Sequence, residues 1–147
     1  MIDVRNRQRR RVNLRHLRQL AMHVLCRARI PAEVRAAGRT TAGSPAGVPA
    51  LQSLSIVLVG DREMAELNLR YHHVAGPTDV LTFDYGDGQA EIIVSVDHAY
   101  ARPRPAHELA LYVMHGILHL RGYDDRTPAQ RHRMRAAERR WLAKLGL

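Results

Sequence analysis

Residues 54–59, LSIVLV, are the stretch on which the fold turns. A compact apolar run of this length, rich in β-branched residues, reads as a buried strand. Directly after it, Asp61 offers a helix N-cap, and Met64, Leu67 and Tyr71 form the inner stripe of a helix. Pro77 closes the turn that follows. Residues 80–83 and 91–96 (EIIVSV) read as two further strands joined by the turn-rich DYGDGQ. Strand–helix–strand–strand is thus the middle of the chain.

Working outward, residues 2–5 supply a short first strand. Leu14, Leu17, Ala21, Val24, Leu25 and Ala28 fall on one helical stripe, with Pro31 just beyond it. Residues 36–50, AAGRTTAGSPAGVPA, are small, Gly/Pro-rich and aperiodic. They read as a mobile connecting loop and not a domain linker, because what precedes them is too short to fold alone. Toward the C-terminus, a helix over residues 106–121 ends at Gly122, a residue suited to the left-handed position after a helix. A last helix starts at Thr127, where Thr127-Pro128-Ala129-Gln130 matches a capping box with proline at the first helical position. It continues through Met134, Trp141 and Leu145. The expectation is one α+β domain over residues 1–147: a small mixed four-stranded sheet packed with about five helices.

Composition bounds the rest. A chain of 147 residues with 46% hydrophobic and 25% charged residues is ordinary for a globular protein. No stretch approaches the roughly 18 apolar residues of a membrane span, and no apolar segment follows the basic start to make a secretory signal. The single cysteine, Cys26, lies off its helix's apolar stripe and reads as a non-functional thiol, which suits a reducing cytoplasm. Formal charge is +9, and Lys144 is the only lysine. Base composition of a genome can favour arginine over lysine, so the residue choice says little. The size of the charge favours a nucleic-acid partner.

The chemistry lies in His115-Gly-Ile-Leu-His119-Leu-Arg-Gly122-Tyr-Asp-Asp125. Residues four apart on a helix sit one above the other, so both rings can point at one metal. Gly122 lets the chain leave the helix sharply, and Asp125 can swing back as a third ligand. The offsets are those of the metzincin pattern H-E-x-x-H-x-x-G-x-x-H with two residues changed. Three protein ligands leave a fourth position open, as in catalytic zinc sites. Two histidines on a helix otherwise lined by Leu109, Val113, Met114, Ile117 and Leu118 need partners, or they cost free energy.

The chain also resembles a family. SIVLVGDREMAELNLRY, GPTDVLTF, EIIVSV and HELALYVMHGILHLRGYD occur in the order found in the bacterial YbeY family of rRNA-maturation endoribonucleases. The last piece is close to the family signature H-G-x-L-H-L-x-G-Y-D-H, and P-T-D-V-L-[ST]-F is a second, independent match. The resemblance covers about half the chain. It implies a cytoplasmic one-domain metal protein that cuts single-stranded RNA in rRNA maturation and ribosome quality control, with zinc held by three histidines. The partners implied are RNA, as rRNA or ribosomal particles, and neither DNA nor membrane.

Three departures stand out. Asp125 replaces the third histidine; an anionic, shorter ligand acidifies water less and makes harder metals such as Mn²⁺ better competitors. His72 stands where the family commonly has arginine, so no catalytic role passes to it. Ala90-Glu91-Ile92 replaces the usual G-D-I. The expected metal ligands are therefore His115, His119 and Asp125, with Asp124 as the rival for the third place; the register of the signature favours Asp125. No catalytic base is assigned.

Lesser candidates read more plainly. Glu108 shares the face of His115 but lies two turns away, too far for the same metal. Thr78 and Asp79 sit in a turn entering a strand, in a segment the resemblance puts near the cleft; His72, His73, His98 and His107 read as surface residues. Arginines cluster at 5, 7, 9, 10 and 11 and again at 131, 133, 135, 139 and 140, and phosphate tracking is one use for them. Aromatics, at 5%, show no interleaving for base stacking. Three other readings fit parts of the pattern. A zinc peptidase is opposed by Gly116, which occupies the general-base position of H-E-x-x-H enzymes. A non-catalytic ribosome-associated protein with a structural metal would need a fourth protein ligand. Iron-dependent oxidation through two histidines and a carboxylate follows from ligand types alone.

Overall fold

The computed structural model describes residues 1–29, 32 and 51–147. Pro31 and the loop expected over 36–50 lie outside the described residues. The elements in chain order are β1 (Ile2–Asn6), α1 (Leu14–Arg27), β2 (Ser53–Val59), α2 (Asp61–His72), β3 (Val80–Gly86), β4 (Gln89–Ser95), α3 (Val96–Tyr100), α4 (Pro105–Leu120) and α5 (Pro128–Leu145). The strands form one mixed sheet in the order β1-β2-β4-β3. β1 and β4 run parallel to β2, and β3 runs antiparallel to β4. The α+β expectation of four strands and about five helices is met among the described residues.

The reason LSIVLV lacks alternation is now visible. Leu54, Ile56 and Leu58 join the main core with α1, α4 and α5, while Val57 and Val59 pack with Met64 of α2 on the other face. A strand covered on both faces has no wet side to encode. Asp87 (φ 50°) and Gly88 (φ 76°) form the two-residue turn between β3 and β4, where both positions require the left-handed region that Asp-Gly tolerates.

Two local expectations are corrected. Asp61 is the first residue of α2 and not its cap; Gly60 holds the cap position without a side-chain bond. The missing acceptor comes from Asp97, whose Oδ2 takes the Asp61 N–H at 2.8 Å. Second, residue 96 is not strand: β4 stops at Ser95, whose hydroxyl accepts from His98 N–H and caps the short α3. Five residues are too few to carry a helical period, so α3 escaped the pattern. The capping box at Thr127 and Gln130 is present with both bonds. Among the described residues, no helix is long and apolar enough to cross a membrane.

Gly116 sets the depth at which α4 sits on the sheet. A Cβ there would lie 2.9 Å from both Cδ1 and Cγ2 of Ile92, a fully buried residue of β4. Gly116→Ala is expected to destabilise the fold, because overpacking costs about 1–3 kcal/mol against about 1 kcal/mol gained in helix propensity. Thermal unfolding checks it, and an unchanged or raised Tm would show that α4 can shift outward freely.

Candidate metal centre

On α4, Leu109, Val113, Met114, Ile117 and Leu118 are buried, so His115 and His119 are left on the flank with side chains 24% and 25% exposed. The helix ends at Gly122 (φ 94°), where the Gly122 and Tyr123 N–H groups return to the carbonyls of His119 and Leu118. This left-handed exit turns the chain back along the helix. Asp125 thereby arrives beside both rings.

The Nε2 atoms of the two histidines stand 3.0 Å apart. Asp125 Oδ2 lies 3.6 Å from His115 Nε2 and 3.4 Å from His119 Nε2. A point equidistant from three atoms so spaced lies about 1.9 Å from each, close to the roughly 2.0–2.2 Å of zinc–nitrogen and zinc–oxygen bonds. The spacing and chemistry of this donor set therefore suit a small divalent ion. Among the described residues this is the only such group of three. Asp124, the rival, is occupied locally: Oδ1 accepts the Asp125 N–H at 2.8 Å and Oδ2 faces Arg126 Nε at 3.5 Å.

Sequence reasoning missed Glu138. From α5, its Oε1 accepts from His115 Nδ1 at 2.5 Å, and its side chain is only 14% exposed. A signal existed. Glu138 is the one acid in α5, and it falls on the stripe of Met134 and Trp141.

These carboxylates act unequally on the two rings. Burial lowers the pKa of His119, and the charge of His115 lowers it further, against a smaller opposing pull from Asp125 and Asp124. Burial also works against a charged His115, but the hydrogen bond and charge of Glu138, with Asp125 and Asp79, outweigh it and raise that pKa.

A cleft of ≈ 240 Å³ opens beside His115 and Asp125, lined also by Asp79, Tyr112, Arg131, Arg135 and Glu138. Asp79 reaches it from the loop entering β3; Oδ1 is held by Thr78 Oγ1 and by the Val80 N–H. His72 does not line this cleft; its ring lies 6.1 Å from Phe83 on the α2 side of the sheet. Glu108 is not a member of the donor group; its charge helps to raise the pKa of Tyr112, after burial. His98 faces Asp61 at 3.7 Å and is not a member of the donor group.

The family model for endoribonuclease YbeY matches residues 3–146. The chain belongs to the YbeY family. A relative from Symbiobacterium thermophilum named endoribonuclease YbeY is 31% identical over 131 residues, covering 77% of this chain and 84% of its own. One of the same name from Salinispora tropica is 37% identical over 120 residues, covering 66% and 76%. A Thermotoga maritima protein whose structure was determined in solution is similar in fold, with a TM-score of 0.56 at 22% identity over 99% of this chain and 91% of that one. Within the YbeY frame, Gly116 acquires a second meaning. The position that bears the base in H-E-x-x-H peptidases points here into Ile92, so a glutamate could not reach the donor group.

Proposed function

We propose that this YbeY-family protein is a metal-dependent endoribonuclease that cuts single-stranded RNA in rRNA maturation and ribosome quality control in the cytoplasm. The observation that carries the reading is the convergence of two imidazoles and one carboxylate beside an open cleft, in a chain matched along residues 3–146 by an endoribonuclease family. His115, His119 and Asp125 would hold one divalent ion, zinc first, with Mn²⁺ a competitor because Asp125 is a harder ligand than imidazole. When bound, the ion supplies Lewis-acid polarisation of a phosphodiester oxygen. Glu138 holds the His115 ring so that Nε2 faces inward, the role a carboxylate plays behind many metal-binding histidines. The group has three members among the described residues, which supports an open site over a closed structural one.

The test is cleavage of a structured RNA with unpaired segments by purified protein, alongside analysis of the metal it carries. Internal cuts are expected, lost on chelation and restored by zinc or manganese. Asp125→His is expected to shift metal preference toward zinc. Protein that holds one metal per chain and leaves the RNA intact rules the reading out.

A further inference from the structure

Both arginine clusters make the chain basic, but they do not present their charge alike. Near the N-terminus, Arg5 pairs with Asp3 at 2.5 Å, Arg7 with Glu63 at 2.9 Å and Arg10 with Asp97 at 3.5 Å. Arg10 also lies 4.6 Å over the Tyr100 ring. Arg9 lines the same groove, but three carboxylates share its walls: Glu63, Glu66 and Asp97. Three of that cluster's five arginines are thus each met directly by a carboxylate.

On α5 the balance is different. Arg131 and Arg135, one helical turn apart, line the cleft that holds His115 and Asp125. Arg131 donates to the backbone carbonyls of Asp125 at 3.3 Å and Arg126 at 3.1 Å. Neutral oxygens thus fix its guanidinium without cancelling the charge. Arg135 is exposed and makes no ion pair among the described residues, although three carboxylates line the same cleft. The first turn of α5 carries no acid, and the partial positive charge of the helix start adds to that of Arg131. Arg131 and Arg135, one turn apart, also repel each other. An anion bound between them relieves both.

We propose that Arg135, with Arg131 beside it, is the phosphate-binding element of this cleft. The two guanidiniums take non-bridging oxygens of the phosphodiester presented to His115, His119 and Asp125, and of its neighbour along the strand. Arginine suits this because its planar fork bonds two oxygens at once. The inference rests on the endoribonuclease reading and adds the side of the cleft along which RNA runs.

The experiment measures binding of a short fluorescent single-stranded RNA in EDTA, where nothing is cut, across a salt series. Arg135→Ala is expected to weaken binding about tenfold and to lower the slope of log Kd against log salt by about 0.7, the value for one phosphate contact on a single strand. The Arg131→Ala, Arg135→Ala double variant should lose about twice that slope. Arg135→Lys should keep most of the slope because the charge stays. Arg7→Ala should bind as the unmodified protein does, and zinc affinity should be the same in all. Unchanged affinity and slope in Arg135→Ala, or an equal loss in Arg7→Ala, overturns the proposal. RNA held through Arg135 but never cut by the zinc-loaded protein supports the arginine assignment and removes the endoribonuclease reading.

Discussion

His119→Ala protein is expected to fold normally and to lose bound metal and RNA cleavage together. The ring it removes is flanked by His115 and Asp125 and is not part of the apolar core. Stability should therefore fall by about 1 kcal/mol, the ordinary cost of a single substitution, and the fold should persist. The donor set falls from three to two, and the loss of affinity should exceed the roughly 10–100-fold cost of losing an outer partner. Metal content by elemental analysis and cleavage of a single-stranded RNA read the two effects separately. Undiminished metal in the variant would move the site elsewhere, and undiminished cleavage would detach the chemistry from it.

Glu138→Ala is the second large effect, and it tests a residue that touches no metal. Its carboxylate takes the Nδ1–H of His115, which leaves the Nε2 lone pair to face the other donors. Without it the ring can rotate or switch tautomer, and zinc affinity should fall about 10–100-fold. Glu138→Gln should fall less, since the amide oxygen can still accept the Nδ1–H while the negative charge is gone. The comparison separates orientation from charge. A zinc competition titration gives the affinities, and thermal unfolding in EDTA checks that α5 still packs. Equal zinc affinity in all three proteins would make Glu138 a structural partner of His115 and no more.

Much of this molecule was legible because its signals are short in range. The capping box at Thr127 spans four residues, the Asp-Gly turn two, and the histidine pair one helical turn. Each is decided by backbone geometry within reach of its own neighbours. The errors have a matching cause. Asp61 looked like a cap because the acceptor that serves its N–H, Asp97, is 36 residues away. Glu138 was missed because the ring it holds, that of His115, is 23 residues away in sequence.

From the sequence alone came the order of every element but the short α3, the buried strand and the three residues able to meet at one ion. Periodicity and turn chemistry encode those locally. Packing of α5 against α4, and of the β3 entry loop beside them, decided what surrounds the three. It brought Glu138 behind His115, set Asp79 on the cleft wall and turned Arg131 and Arg135 toward it while the N-terminal arginines met acids. No spacing rule reaches across 23 or 36 residues. Such contacts follow from which apolar faces bury each other, and a single chain states that only once it has folded.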